Sequence, residues 1–250
     1  MCKECGCGQP ETVATAARKI QIEENVLAKN DALAAEVRHE LAHRGTLMLN
    51  MLSSPGSGKT TLLEKTLPIL MQEYSVAVLE GDVQTRYDAE RLKKCNVPVV
   101  QVNTGGACHL DAQSVKNAIA NEPFISADLI IIENVGNLVC PSGFDLGEDA
   151  KVVLLSVTEG DDKPEKYPAA FAVARVMIVT KTDLLPHVPF DVARCIEGAR
   201  QVHPGLEALE LSSTSGDGLD GWLAWVKHQI AHKKGHEHEH GHGHGHGHTH

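Results

Sequence analysis

Residues 53–61, SSPGSGKTT, carry the glycines, the lysine and the threonines of a loop that binds phosphate. The loop follows the apolar run TLMLNML and precedes an apolar helical stretch, which is the strand–loop–helix context that such a loop requires. Glycines let backbone N–H groups face an anion, the lysine reaches the β- and γ-phosphates, and a threonine hydroxyl binds Mg²⁺. Ser53 stands where such loops usually begin with glycine. The predicted nucleotide contacts are Pro55, Gly56, Ser57, Gly58, Lys59, Thr60 and Thr61.

Two later segments indicate which base is bound. Residues 180–183, TKTD, follow the apolar run RVMIV and are similar to the guanine-reading NKxD motif, with Thr in place of Asn. The final Asp would accept hydrogen bonds from guanine N1–H and the exocyclic amine, and adenine offers neither donor. Residues 212–218, SSTSGDG, are typical of the loop that closes over the base. The sequence therefore favours GTP over ATP, with Lys181, Asp183 and Ser213 as predicted base contacts.

Acidic residues end two of the predicted strands beside the phosphate loop. Asp82 ends SVAVLEGD, and Glu133 near the end of ADLIIIEN begins an ExxG variant of the DxxG switch motif that finishes at Gly136. Acids at such strand ends hold Mg²⁺ and the attacking water, although a lone acid there can also be a helix cap. We predict that Lys59, Thr60, Asp82 and Glu133 are catalytic. No arginine finger or water-positioning Gln is evident, which predicts slow hydrolysis.

Three cysteines open the chain, at positions 2, 5 and 7. Glycines at positions 6 and 8 permit the tight turns that would let Cys2, Cys5 and Cys7 converge on one ion. We hypothesise that the α-amine completes a square-planar Ni²⁺ site, because that geometry takes mixed nitrogen and sulfur donors. A redox-active CxxC pair is the alternative.

A second candidate ligand set lies on two loops. Cys108 and His109 follow the apolar run PVVQVN, and Cys140 follows ENVGNLV, so both loops should emerge at the carboxyl edge of the sheet. Two thiolates and an imidazole suit Ni²⁺ or Zn²⁺. Taken singly, each cysteine is more typical of a small core residue.

The chain ends in HEHEHGHGHGHGHTH, and 8 of its 15 histidines lie there. Alternating glycine and histidine cannot build a core, so we expect disorder, with low-selectivity storage of nickel as its use. A purification tag is the alternative, but tags are normally uninterrupted histidine runs.

Seven short apolar runs alternate with helical stretches, which predicts an α/β fold: a P-loop NTPase with a mainly parallel sheet flanked by helices. We divide the chain into a cysteine-rich head (1–10), amphipathic helical sequence (11–44) forming one or two helices, the GTPase domain (45–231) and the histidine-rich tail (232–250).

The net charge of −10 argues against nucleic-acid binding. No apolar run reaches the roughly 18 residues of a membrane span, and no secretory signal is visible, which predicts a cytoplasmic protein with reduced thiols.

Several motifs together are similar to those of the hydrogenase nickel-incorporation GTPases of the HypB type: SSPGSGKTT, EGDVQTRYDAERL, TGGACHLDA, ENVGNLVCP, EGDDKPEKYP and KTDLLP. The resemblance covers about 45–230 and extends to the CxxCGCG head. It implies a SIMIBI-type GTPase that dimerises on binding GTP. It also implies a metal site at the dimer interface, and delivery of nickel to the hydrogenase large subunit with other maturation proteins. The alternatives are a nickel storage or detoxification protein, and a GTPase serving another nickel enzyme such as urease.

Overall fold

A computed structural model of the chain describes residues 13–81, 87–102 and 109–240, with side chains for all of these except 13–24, 87–88 and 236–240. Seven parallel strands form one sheet in the order β3-β2-β4-β1-β5-β6-β7. Each strand lies within or closely overlaps one of the seven apolar runs, so the predicted α/β fold is confirmed. The strands are β1 Leu47–Ser53, β2 Val76–Glu80, β3 Val99–Gln101, β4 Leu129–Glu133, β5 Ala150–Ser156, β6 Ala174–Thr180 and β7 Glu207–Glu210.

Helices cover both faces of this sheet. They are α1 Val13–His43, α2 Lys59–Leu70, α3 Tyr87–Lys93, α4 Ala112–Ile119, α5 Lys163–Lys166, α6 Pro168–Ala172, α7 Val192–Val202 and α8 Leu219–His240. Two 3₁₀ helices, Pro141–Gly143 and Thr182–His187, follow strands β4 and β6. Among the described helices, none combines the length and the apolar composition needed to cross a membrane.

Alternate strand residues serve opposite faces of the sheet. Leu49 and Met51 of β1 pack in one buried cluster with α2 and α8, and we call this side the α2 face. Met48 of β1 packs with α1 and α4 on the other side, which we call the α1 face. Farther along the sheet, α6 and α7 cover β5 and β6. The two faces matter because neighbouring residues of one strand can reach different sites.

The segment 11–44, predicted as one or two helices, contains the single helix α1. Val37 and Leu41 are fully buried against the α1 face. A loop before β5 approaches this helix closely at Gly147, whose φ is +84°. A Cβ at Gly147 would lie 2.6 Å from Cγ1 of Val37, so only glycine permits the approach.

The prediction of disorder from residue 232 onward is wrong for its first part, since α8 continues to His240. Lys233 Nζ donates to Asp149 Oδ1 at 2.5 Å, and Lys234 Nζ donates to Asp128 Oδ1 at 2.6 Å. Burial would raise the pKa of Asp128, but hydrogen bonds from Lys234 and Ser75 outweigh it and hold that pKa below its ordinary value. These contacts fasten the helix beyond residue 231. Residues 241–250 lie outside the described part, and the domain boundaries stay predictions.

Candidate nucleotide and metal sites

The phosphate loop joins β1 to α2 and contains two glycines with positive φ. Gly56 has φ +77° and Gly58 has φ +96°, a region that disfavours any residue with a Cβ. A Cβ at either position would meet nothing within 4 Å, so the backbone conformation, and not crowding, requires glycine. Because α2 begins at Lys59, its N-terminal N–H groups and positive dipole end lie at this loop. The loop is therefore shaped for an anion.

Lys59 and Thr60 each make a short contact at the start of α2. Lys59 Nζ donates to Ser53 Oγ at 2.6 Å, so the serine that replaces the usual glycine accepts from the lysine. Thr60 Oγ1 donates to Glu133 Oε1 at 2.6 Å. The next hydroxyl, Thr61 Oγ1, accepts from Arg91 Nη2 at 3.1 Å. The predicted lysine therefore contacts the start of the phosphate loop, and the predicted threonine contacts the predicted acid.

A second acid, which sequence reasoning missed, lies beside Glu133. Glu80 ends β2 and is the register partner of Glu133 on β4, so both buried carboxyl groups belong to the α2 face. The signal was available, because Glu80 ends a fully buried strand two residues before Asp82. Asp82 itself lies outside the described residues. A threonine hydroxyl with carboxylate oxygens is the donor set that Mg²⁺ prefers, so these residues fit that ion.

Glu159 and Lys163 lie in the segment EGDDKPEKYP but were not predicted as site residues, and both also reach the phosphate loop. Ser57 Oγ donates to Glu159 Oε1 at 2.6 Å. Lys163 Nζ lies 3.5 Å from Glu159 Oε2 and 3.5 Å from Ser54 Oγ. They follow β5, which is paired with β1, so the strand neighbour of the loop brings them there.

Gly136, at the end of the ExxG segment, lies directly against the phosphate loop. A Cβ at Gly136 would be 3.1 Å from Cγ and 3.2 Å from Cα of Pro55. Any side chain here would therefore displace the loop or the segment. The predicted switch and the phosphate loop are in contact.

The residues predicted to read the base are hydrogen-bonded to the phosphate loop or to the loop 212–218. Thr180 Oγ1 donates to the carbonyl of Ser57 at 2.7 Å, so threonine in place of asparagine still links the two motifs. Lys181 Nζ donates to the carbonyl of Gly56 at 2.8 Å. Asp183 Oδ1 accepts from Ser212 Oγ at 2.5 Å. Ser212 is thus the residue of the loop 212–218 that is hydrogen-bonded to Asp183, and the base contact predicted for the half-buried Ser213 stays a prediction.

A second set of polar contacts, the polar network of Asn50, Asn134, Glu148 and Lys151, lies on the α1 face. Asn134 Nδ2 donates to Asn50 Oδ1, and Asn50 Nδ2 donates to Glu148 Oε1, both at 3.1 Å. Lys151 Nζ lies 3.1 Å from the same carboxylate oxygen and donates to the carbonyl of Phe144 at 2.9 Å. The network begins next to Glu133 in the chain and ends at Phe144.

Phe144 stacks on His109, the candidate metal ligand of the other loop. The ring centroids are 3.7 Å apart and the planes differ by 25°. Burial lowers the pKa of His109 despite the opposing charge of Asp111, which favours the neutral imidazole that a metal requires. The structure thus brings His109 next to the loop that carries Cys140.

Cys140 immediately precedes the 3₁₀ helix Pro141–Gly143 and is half-buried, next to Val139, whose exposure is 61%. Cys108 and the head cysteines Cys2, Cys5 and Cys7 lie outside the described residues. Within 13–81, 87–102 and 109–240, no group of three or more His, Cys, Asp or Glu side chains is close enough to share an ion. The three-ligand set therefore stays a prediction.

Helix α1 is hydrogen-bonded to both candidate ligand loops. Asn30 Nδ2 donates to the carbonyl of Asp145 at 2.7 Å, and Asn30 Oδ1 accepts from Ala112 N, shortly after His109, at 2.9 Å. Arg38 Nη2 donates to Asp145 Oδ1 at 2.6 Å and to Oδ2 at 2.8 Å. The helix therefore holds the two loops in one arrangement.

Two other described cysteines are poor metal ligands. Cys195 is buried in α7, and burial raises its pKa to about 12. Burial also raises the pKa of Cys95. Both thiols stay protonated at neutral pH, as a structural cysteine does.

Comparison with known proteins gives the family. The CobW/HypB/UreG nucleotide-binding domain matches residues 47–210. The chain is 52% identical over 212 residues to the hydrogenase maturation factor HypB of Azotobacter chroococcum mcd 1, covering 85% of this chain and 70% of that protein.

Two solved structures resemble the fold. HypB from Archaeoglobus fulgidus matches with a TM-score of 0.77 and 37% identity, over 82% of this chain and 100% of that one. HypB from Helicobacter pylori, solved in complex with nickel, matches with a TM-score of 0.76 and 38% identity, over 82% and 97%. The glycine loop, the ExxG segment and the guanine-type motif all lie inside the matched domain. This chain therefore belongs to the HypB family of hydrogenase maturation factors, within the CobW/HypB/UreG group of nucleotide-binding proteins.

Proposed function

We propose that the protein is a GTP-hydrolysing nickel metallochaperone that helps to insert Ni²⁺ into the large subunit of a hydrogenase. The observation that carries this proposal is the placement of two successive residues. Glu133 accepts from Thr60 beside the phosphate loop, and Asn134 donates into the polar network that ends at Phe144 and His109. One segment thus contacts both the nucleotide side and the metal side.

The nucleotide half of the function follows from the loop. Backbone N–H groups of Gly56 to Lys59 hold the β- and γ-phosphates, and the Lys59 ammonium neutralises the charge that grows during transfer. Thr60, with Glu133, Glu80 or Asp82, would hold Mg²⁺, which would supply positive charge to offset that of the phosphates. We assign the orientation of the attacking water to whichever of these acids does not hold the ion.

Selection of guanine is assigned to Asp183. Its carboxylate accepts from Ser212, which fixes the acid toward the loop 212–218. Lys181, with φ +60°, reaches back to the carbonyl of Gly56 and so keeps the base motif against the phosphate loop. Adenine would leave the carboxylate without its two donors.

Coupling to the metal is assigned to the ExxG segment. Gly136 packs against Pro55 of the phosphate loop, so a γ-phosphate bound there would move Gly136. Asn134 lies two residues before Gly136 and donates into the polar network, and Cys140 lies four residues after it. A shift of this segment would move Cys140 directly. Through the polar network it would also move Phe144, which stacks on His109. GTP binding and hydrolysis would therefore alter the affinity for nickel.

The metal site proper is proposed to need two copies of the chain. Cys108, His109 and Cys140 supply three ligands from one subunit, and a symmetric dimer would pool two sets. The exposed Val139 beside Cys140 offers apolar surface at the place where such an interface would form. The head Cys2, Cys5 and Cys7 would form a separate Ni²⁺ site.

The function is tested by deleting the gene from its host and assaying hydrogenase activity in medium with low and with excess nickel. We expect activity to be lost at low nickel and restored by the wild-type gene. Urease and other nickel enzymes in the same cells should keep their activity. Full hydrogenase activity in the deletion strain at low nickel would overturn the proposal, and loss of urease alone would replace hydrogenase as the recipient.

The histidine-rich tail supports a second candidate function, nickel storage with incidental GTP binding. The Lys59→Ala variant separates the two, because it removes the phosphate-binding ammonium and leaves every candidate metal ligand in place. A chaperone with this substitution cannot restore hydrogenase activity, whereas a storage protein restores it fully.

A further inference from the structure

Two histidines on α1, outside the nucleotide and cysteine sites, are placed together on one exposed helix face. His39 and His43 are one helical turn apart, and their Nε2 atoms are 3.1 Å from each other. The ring centroids are 4.3 Å apart with the planes at 76°. Both side chains are exposed, so the facing nitrogens are open to solvent.

This separation is the one that two imidazoles have when they bind one metal ion. With metal–nitrogen bonds of about 2.0–2.1 Å, two ligands lie about 2.9 Å apart at a right angle and about 3.4 Å apart at a tetrahedral angle. The observed 3.1 Å lies between these values. We propose that His39 and His43 chelate a borderline divalent ion, Ni²⁺ or Zn²⁺, through their Nε2 atoms.

The charges around the pair are balanced. Glu36 and Glu40 precede the two histidines by three residues each, on the same side of the helix. The neighbouring cations are already engaged: Lys116 pairs with Glu36, and Arg44 pairs with Glu40. The local field of α1 around the pair is therefore not dominated by positive charge.

Two protein ligands leave the other positions of the ion to water. In the part of the chain that the structure describes, no third His, Cys, Asp or Glu joins the pair. A two-point site of this kind exchanges its ion readily, unlike a closed four-ligand site. Neither histidine belongs to the nucleotide contacts or to the predicted cysteine ligand sets described above. The inference therefore stands whether or not the proposed function does.

A second histidine pair with the same spacing supplies an internal control. His228 and His232 on α8 are also four residues apart and exposed, but their ring centroids are 6.5 Å apart. The α1 pair has its nitrogens already at chelating distance, whereas the α8 rings must reorient first. The two pairs have the same spacing in the sequence, and the distance between their rings distinguishes them.

The test is a titration of the full chain with Zn²⁺, followed by ¹⁵N NMR of the histidine side chains, which reports each imidazole separately from those of the tail. Resonances are assigned with the variants His39→Gln and His43→Gln, and His228→Gln is the matched control. We expect the Nε2 signals of His39 and His43 to move together, with both rings becoming Nδ1–H tautomers.

Chelation predicts that each ring depends on the other. His43→Gln should raise the apparent dissociation constant for Zn²⁺ at His39 by at least about tenfold, since the second contact is made at high effective concentration. His228→Gln should leave that constant unchanged. An unaltered titration of His39 in His43→Gln, or opposite tautomers that persist at saturating Zn²⁺, would show two hydrogen-bonded imidazoles and overturn the proposal.

Discussion

Glu133 and Asn134 are adjacent in the chain but belong to different regions of the molecule. On the α2 face, Glu133 joins contacts that end on the phosphate loop, which glycines and the start of α2 shape for an anion. On the α1 face, Asn134 joins a network of side chains that ends at Phe144. The first region has the shape of a ligand site, whereas the second consists of side chains hydrogen-bonded to one another. In the proposed function, the segment that contains Glu133 and Asn134 contacts both regions directly.

Removing the lysine of the phosphate loop should have the largest effect. Lys59→Ala eliminates a nearly buried ammonium placed over the loop, so we expect GTP turnover to fall at least about 100-fold. Steady-state phosphate release measures this. Lys65→Ala, at an exposed position on the same helix, is the matched control and should keep wild-type turnover. Nickel affinity in the GDP state should be equal in both variants, and comparable turnover in the two would contradict the role of Lys59.

The base motif should show the next largest effect. Asp183→Asn replaces one of the two accepting oxygens by a donor, so we expect the preference for GTP over ATP to shrink about 100-fold. Competition between the two nucleotides for a fluorescent guanine analogue measures the ratio. The control is Asp220→Asn, at an exposed position on α8 outside the predicted base loop, which should keep the wild-type preference. An Asp183→Asn variant that still prefers GTP as the wild type does would assign base selection elsewhere.

The polar network should affect stability and coupling together. Glu148→Gln leaves one carbonyl oxygen for donors from Asn50, Lys151 and Leu146, so we expect the free energy of unfolding to fall by about 2 kcal/mol. Denaturant unfolding measures this, with the exposed Glu165→Gln as control. In the same variant, the effect of nucleotide on nickel affinity should be smaller than in the wild type. An undiminished effect would remove the network from the coupling.

The smallest effect concerns the contact between α1 and the Cys140 loop. Burial would raise the pKa of Asp145, but hydrogen bonds from Arg38 and Gly147 outweigh it and hold the pKa below its ordinary value. The ion pair therefore stabilises the fold above that ordinary value, near pH 3.8, and this contribution is lost as the pH falls further.

Arg38→Gln tests this contact through its pH dependence. It should lower the free energy of unfolding at neutral pH by less than about 1 kcal/mol, because both side chains are partly exposed. The difference from wild type should shrink below about pH 4. The exposed Arg200→Gln controls for the change in net charge. A difference that stays constant from neutral to acid pH would show that the ion pair is not its source.

The sequence predicted candidate residues that belong to short motifs after apolar runs. It did not predict residues that strand pairing or distant contacts bring together. The phosphate loop, Glu133 and Asp183 were predictable because each is a local motif after an apolar run. Glu80 also ends a strand, but Asp82 two residues later was chosen instead, and only the pairing of β2 with β4 places Glu80 beside Glu133. The polar network was invisible because Asn50 and Glu148 are 98 residues apart in the chain. Continuation of α8 to His240 was missed because distant aspartates, Asp128 and Asp149, fasten it.

The most direct test of the coupling between the two regions is the nickel affinity of the full chain in two nucleotide states. Cys2, Cys5 and Cys7 are replaced by serine, so that thiolate-to-nickel charge-transfer absorption reports the Cys108 and Cys140 site and not the histidines. Titrations are made with GDP and with a non-hydrolysable GTP analogue, and sedimentation of the same samples gives the dimer fraction. We expect nickel affinity to change at least about tenfold between the two states, together with the dimer fraction. Identical affinity in both states would contradict it, and the GTPase cycle would then act on a partner protein instead of on the metal site.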